Sequence, residues 1–215
     1  MAMLREVRES YLQNRYTADD MVRCGTSDCA GCSHCCEAMG ETIVLDPYDI
    51  WQLETGLTSN FQGLLTKAIT LSVYEGIIMP HIMVKEENGN CTFLREDGKC
   101  SIHTLRPGFC RLFPLGRLYD EEGLHYILQK EDCPKEPKSK IKVDKWLGIP
   151  RIKKYEEYIE TWHEITVNLR EALKELSEEQ AKAVNMRFLE VFYLPDYDAG
   201  DFYEQFQKRY ERWTS

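Results

Sequence analysis

The sequence predicts an α+β fold, a small cysteine-rich metal-binding core with short hairpins followed by a helical C-terminal tail. Three observations predict it. All nine cysteines fall before residue 134. Short apolar runs separated by Asp-Gly and Glu-Glu-Gly turns fill that part of the chain, the pattern of hairpins. Beyond it, apolar residues recur at helical spacing. The composition shifts at Cys133-Pro-Lys-Glu-Pro-Lys-Ser-Lys140, a Pro- and charge-rich stretch that reads as a connector. It divides the chain into a metal-binding core over residues 1–140 and a helical subdomain over 141–215 that is expected to pack on the core.

Taken in order, Leu4, Val7, Tyr11 and Leu12 stand at helical spacing, and the cysteine loop follows. Ile43-Val44-Leu45 reads as a short buried strand. Asp46-Pro47 supplies an N-cap and a proline at the first helical position, with Ile50 and Leu53 on one face. A helix is expected over Phe61 to Tyr74, with Phe61, Leu64, Leu65, Ala68 and Ile69 inward. Ile77-Ile78-Met79 and Ile82-Met83-Val84 flank Pro80, which predicts an extended segment with a bulge or an edge position. Two hairpins come next: Cys91–Leu94 with Cys100–His103 around Asp97-Gly98, then Gly116–Tyr119 with Leu124–Leu128 around Asp120–Gly123. Arg106-Pro-Gly-Phe-Cys110, between them, starts a helical turn. In the tail, Ile152, Tyr155, Ile159, Trp162, Ile165, Leu169 and Leu173 form one stripe. Ser177-Glu-Glu-Gln180 has capping-box form and opens a helix to about Phe192, and Phe202, Phe206, Tyr210 and Trp213 mark another.

At 215 residues the chain can bury a core without cross-links, so its nine cysteines need a chemical reason. The first ten residues are charged and lack the apolar stretch of a signal peptide, and no run reaches the length of a membrane span. A cytoplasmic location follows as the expectation, where clustered thiols bind metal rather than pair as disulfides. With 36 acidic against 27 basic residues, the net charge of −9 argues against nucleic acid as a partner, because that surface must displace phosphate counterions. The run Lys135 to Lys145 carries Glu136 and Asp144 among its lysines and reads as a solvated face.

Cys29-x2-Cys32-x2-Cys35 lets three thiolates from one loop converge on one inorganic centre. It resembles three ligands of a bacterial ferredoxin site, where a fourth cysteine from elsewhere precedes proline, as Cys133-Pro134 does here. Zinc accepts the same donors in tetrahedral array. Spacing does not separate the metals, and neither does charge, since four thiolates around zinc or around a [4Fe–4S]2+ core both leave −2. Adjacent side chains of an extended chain point to opposite sides, so Cys35 and Cys36 are expected to face different partners, one of them Cys91, Cys100 or Cys110. The candidate ligands are Cys29, Cys32, Cys35, Cys36, Cys91, Cys100, Cys110 and Cys133, enough for one or two centres, with Cys24 as the spare thiol. The expected cofactor is an iron–sulfur cluster, [4Fe-4S] in form, or zinc. Lys99, Arg106 and Arg111 beside the distal cysteines can offset thiolate charge. His34, inside the loop, is read as solvent-facing, although an imidazole there can replace a thiolate. His81, His103, His125 and His163 show no ligand spacing among themselves.

Cys29-x2-Cys32-x2-Cys35-Cys36, Cys91-Thr-Phe-Leu94, Gly98-Lys-Cys100-Ser-Ile-His103 and Arg106-Pro-x2-Cys110-Arg111-x-Phe-Pro114 together resemble the CxxCxxCC cysteine-cluster family, described as zinc- or iron-chelating. Flagellin lysine N-methylases are its functionally best-known relatives. The resemblance implies a metal-binding protein, with redox or metal-handling work and a protein substrate or redox partner. As the alternative it implies a protein lysine N-methyltransferase using S-adenosylmethionine. No G-x-G loop, H-E-x-x-H or G-x-S-x-G points to another reaction.

Overall fold

The computed structural model describes residues 9–25, 32–37, 39, 42–136 and 139–215. Leu4, Val7 and Cys29 therefore lie outside the described residues. The architecture is α+β: among the described residues, three two-stranded antiparallel sheets accompany a helical C-terminal region. By contact the chain forms two compact units, Met1–Ile43 with Val84–Glu160, and Val44–Met83 with Thr161–Ser215.

The first unit opens with a 3-10 turn at Glu9–Gln13 and a strand, β1 (Met21–Gly25). Two strands of the second unit follow in sequence, β2 (Ile69–Tyr74) and β3 (Ile77–Ile82). Back in the first unit, β4 (Leu115–Asp120) and β5 (Gly123–Leu128) form the hairpin expected there. Its turn needs Gly123, whose φ of 103° few side chains tolerate. β6 (Ser139–Lys142) pairs with β1 across more than a hundred residues. The lysine-rich stretch read as a solvated linker thus supplies a strand. The core of this unit gathers Tyr11, Val22, Leu115, Tyr126, Val143 and Tyr155, all buried. Arg117 donates from Nη2 to the Tyr155 hydroxyl at 2.5 Å, and the Tyr126 hydroxyl donates to Glu156 at 3.1 Å.

In the second unit, α1 (Pro47–Leu57) starts as its sequence dictates: the Asp46 side chain accepts from Asp49 N, and the Asp49 side chain accepts from Asp46 N. The helix expected over Phe61 to Tyr74 is shorter. It stops as α2 (Phe61–Leu65), and Ile69–Tyr74 becomes β2, paired in register with β3. The alternation of Thr70, Ser72 and Tyr74 with apolar residues serves a strand, and tertiary pairing overrides the helical spacing before it. The Glu75-Gly76 turn has φ of 49° and 87°, the left-handed pair of a type I′ hairpin. Pro80 sits inside β3 without shifting register, as a two-stranded sheet consists of edges. Ile43-Val44-Leu45 makes one bridge, Val44 to His81, rather than a strand.

Four helices complete the chain after the short α3 (Gly108–Leu112) of the first unit: α4 (Val143–Leu147), α5 (Ile152–Lys174), α6 (Glu178–Phe192) and α7 (Phe202–Thr214). The capping box predicted at Ser177 is present, and the Ser177 side chain accepts from Gln180 N. In the second unit the aromatic stripe is core. Trp162 stacks on Phe188 at 5.4 Å and meets Phe192 edge-on at 5.2 Å, and Phe192 stacks on Phe206 at 6.0 Å. Each such ring stabilises by about 1.5–3 kcal/mol through burial, and each pair geometry adds ~0.5–1.5 kcal/mol.

Candidate metal centre

The site is built on turns rather than on a sheet. Ser33 precedes a 3-10 turn at His34–Cys36, closed by Cys36 N donating to Ser33 O at 2.7 Å. This turn removes the expectation that Cys35 and Cys36 diverge. A tight turn, unlike an extended strand, can set neighbouring side chains on one side. The Cys35 thiol donates to Cys36, and the Cys36 thiol donates to Cys91. A backbone bond fixes the second pair, with Cys91 N donating to Cys36 O at 2.8 Å.

Cys91 is placed by a bridge to Val84, and Cys100 by a bridge to Leu94. The hairpin expected at Cys91–His103 is thus a single bridge around the Arg95–Lys99 turn, where Gly98 has φ of 75° and Arg95 N donates to Lys99 O at 3.0 Å. His103 continues into a 3-10 turn instead of a strand. Cys110 rides on α3, which begins after Pro107 as the sequence predicts.

Hydrogen bonds and charge link the sulfurs in pairs, while among the described residues no three of them lie within 4.8 Å of one another. Hydrogen bonding to Cys36, then burial and the charge of Cys36, raise the Cys35 thiol well above its ordinary range. At Cys36 the bond from Cys35 favours the thiolate, but the bond to Cys91, burial and the charges of Cys91 and Cys100 outweigh it and push it up to about 11. Cys91 is held below its ordinary value, first by the Cys36 thiol and further by the Phe93 N–H, against burial and the charges of Cys110 and Cys100. Burial raises Cys100, opposed by the Ile102 N–H and by Arg106. Cys35, Cys36, Cys91, Cys100 and Cys110 therefore form one electrostatically coupled group.

Two features suit this group to a cation. Backbone N–H groups two residues on donate to the sulfurs of Cys91 and Cys100. Such bonds favour the thiolate, the form that binds metal. The Arg106 charge also favours thiolate at Cys35 and Cys100. Its buried Nε has no hydrogen-bond partner among the described residues. Arg111, by contrast, is a buried strut: its Nε donates to Arg106 O at 2.7 Å, and its Nη2 donates to Thr104 O.

The remaining predicted residues in the described part of the chain are Cys32, His34 and Cys133. Cys32 is half-buried in the loop before the turn, and His34 is exposed. Cys133 lies with Cys24 on a different small cavity, lined also by Arg23, Pro114, Leu128, Lys130 and Lys135. A second grouping escaped the sequence analysis. His125 Nε2 lies 3.6 Å from Asp120 and 3.7 Å from Glu122 at the β4–β5 turn. Arg15 already supplies a cation there, 2.6 Å from Asp120. The acidic turn Asp120-Glu121-Glu122 was the available signal, and the pairing of Leu118 with His125 completes it.

The family model CxxCxxCC, described as a putative zinc- or iron-chelating domain, matches residues 28–138. The chain belongs to this family. The matched span contains Cys35, Cys36, Cys91, Cys100 and Cys110, and it begins after Cys24. No curated protein and no solved structure shows significant similarity to the chain. No helix among the described residues is long and apolar enough to cross a membrane. Membership in this family supports a metal, zinc or iron, as what the chain binds.

Proposed function

We propose that the protein is a thiolate metal carrier or redox protein whose centre, zinc or an iron–sulfur cluster, is held by Cys35, Cys36, Cys91 and Cys100, with Cys110 beside them. The observation that carries this reading is the sulfur chain Cys35–Cys36–Cys91, continued electrostatically to Cys100 and Cys110. When bound, the metal supplies either electron transfer, as a cluster, or a closed structural or transferable site, as zinc. The chain's own contribution is orientation and charge. The Phe93 and Ile102 amides aim at sulfur, Arg106 offsets negative charge, and the Cys36–Cys91 backbone bond sets the spacing.

The test is metal and acid-labile sulfide analysis, with an absorption spectrum, on protein purified without oxygen. Iron and sulfide at about four each per chain identify a [4Fe–4S] centre. Zinc near one per chain without colour identifies a structural or metal-handling site. Cys36→Ser is expected to lose that content in either case. Full metal content in both Cys36→Ser and Cys91→Ser would refute the assignment.

A further inference from the structure

Cys24 looked like the odd thiol in the sequence, yet it is among the most enclosed side chains of the first unit, 1% exposed. Its strand explains why it points where it does. The β1–β6 ladder pairs Met21 with Lys142 and Val22 with Ile141, then slips before Gly25 meets Ser139. Cys24 sits in that slip. Irregularities of this kind re-aim a side chain, and they concentrate beside functional sites. A Cβ on Gly25 would collide with the Ser139 hydroxyl and lie 3.2 Å from the Ser139 backbone carbonyl, so the two strands approach closely next to Cys24.

Cys133 reaches the same place from the other side. It ends the 3-10 turn Lys130–Asp132, and Gln129 N donates to Pro114 O at 2.9 Å, tying that turn to the start of β4. Cys24 and Cys133 then line one cavity of about 10 Å³, room for a single water-sized sphere. Pro114 and Leu128 give it apolar walls, while Arg23, Lys130 and Lys135 supply three cationic side chains and, among the described residues, no carboxylate lines it.

We propose that Cys24 and Cys133 form a second metal site, separate from the coupled sulfurs of the first, that takes one soft monovalent d10 cation of the Cu(I) type. Thiolates select soft cations. Zinc wants a tetrahedral shell of about four ligands, whereas a monovalent d10 ion is satisfied by two opposed sulfurs. Charge makes the same choice. Two thiolates with a divalent ion are neutral, and with a monovalent ion they keep one negative charge, which Arg23, Lys130 and Lys135 are placed to balance. Binding releases the thiol protons and leaves both sulfurs and the metal in their original oxidation states. The site stands independently of the centre proposed above, since it shares no residue with it.

The experiment is alkylation of the reduced full-length chain with iodoacetamide, with and without buffered Cu(I), read cysteine by cysteine by peptide mass spectrometry. Cu(I) is expected to slow alkylation of Cys133 at least tenfold, and Cys24→Ala to abolish that protection while protection of Cys91 persists. Because Cys24 is buried, Cys133→Ala provides the reciprocal reading at Cys24, and far-ultraviolet circular dichroism checks that both variants fold. Equal protection of Cys133 in the parent and in Cys24→Ala overturns the pair. Protection of Cys133 by zinc but not by Cu(I) overturns the monovalent ion. The Cys91 signal reports on the first centre alone, so the two readings fail separately.

Discussion

Glu54 shows how far one residue can be followed from chemistry to a measurable slope. It is 4% exposed, and its Oε2 accepts from Tyr197 N at 2.7 Å. Burial, with Asp196 adding to it, outweighs the Tyr197 N–H and Arg209 and pushes its pKa from 4.5 up to about 7. Between those values the folded state holds a proton that the unfolded chain has released. Stability from this group is therefore complete below pH 4.5, falls as pH rises, and is lost past about pH 7. Glu54→Gln keeps a carbonyl acceptor for Tyr197 N and removes the charge. The variant should show a flatter dependence of its urea midpoint on pH over that window and gain at most about 3 kcal/mol relative to the parent above it. Parallel pH profiles for parent and variant would show that Glu54 titrates at its ordinary value. The cysteines titrate toward a different end. A metal must displace the protons that Cys35 and Cys36 hold above the ordinary thiol range, so apparent metal affinity should fall as pH is lowered. A competition titration at two pH values reads the number of protons released.

At the scale of elements, caps and turns carried the information that sequence can express. Asp46-Pro47, Ser177-Glu-Glu-Gln180 and Asp120–Gly123 each rest on contacts within a few residues, and each stands where the sequence puts it. Ser177→Ala should cost about 1 kcal/mol of stability, seen in denaturant unfolding, because Gln180 N then loses its acceptor. What could not be read locally is what distant segments decide. β1 and β6 are short and lack clean alternation, and their pairing joins residues 22 and 141. Ile69–Tyr74 continues a helical spacing and becomes a strand only because Ile77–Ile82 returns beside it. The eight ligand candidates were legible as residue types, but their grouping was not. The turn that brings Cys35 and Cys36 together is held by Ser33 O and by Cys91 N, bonds that no spacing rule contains. Arg209 is a further case. In α7 it reads as a surface arginine, yet its Nη atoms reach the carbonyls of Val191, Phe192, Pro195 and Asp196 at the end of α6, and its guanidinium lies 3.6 Å from the Tyr197 ring centroid. Arg209→Ala should cost roughly 2–4 kcal/mol by unfolding those carbonyl contacts. Arg209→Lys should recover little of that, since an ammonium cannot span the fork. Full stability in the lysine variant would reduce Arg209 to a simple charge.

Across the whole molecule, the proposed metal centre would act as a cross-link. Ligands at Cys36 and Cys91 would close a long loop of chain, and the sheets beside it are only two strands each, too small to hold that closure by themselves. By analogy with a disulfide closing a loop of comparable length, the constraint is worth roughly 3–4.7 kcal/mol. Metal binding at such a site is partly folding energy. The second unit draws its stability from another source, the packed rings of Trp162, Phe188, Phe192 and Phe206. Removing the metal with a chelator under reducing conditions should therefore act unevenly. Hydrogen exchange at the amides of Cys91, Phe93 and Ile102 should accelerate by a factor of about a hundred or more, as 1.4 kcal/mol is tenfold. The amides of Phe188 to Phe192 should keep their protection, because opening free energies differ from region to region. If chelation left Cys91, Phe93 and Ile102 as protected as before, the turns around the sulfurs would be self-supporting. The metal would then be a passenger in a preformed site, and its role would lie in transfer or redox chemistry rather than in holding the fold.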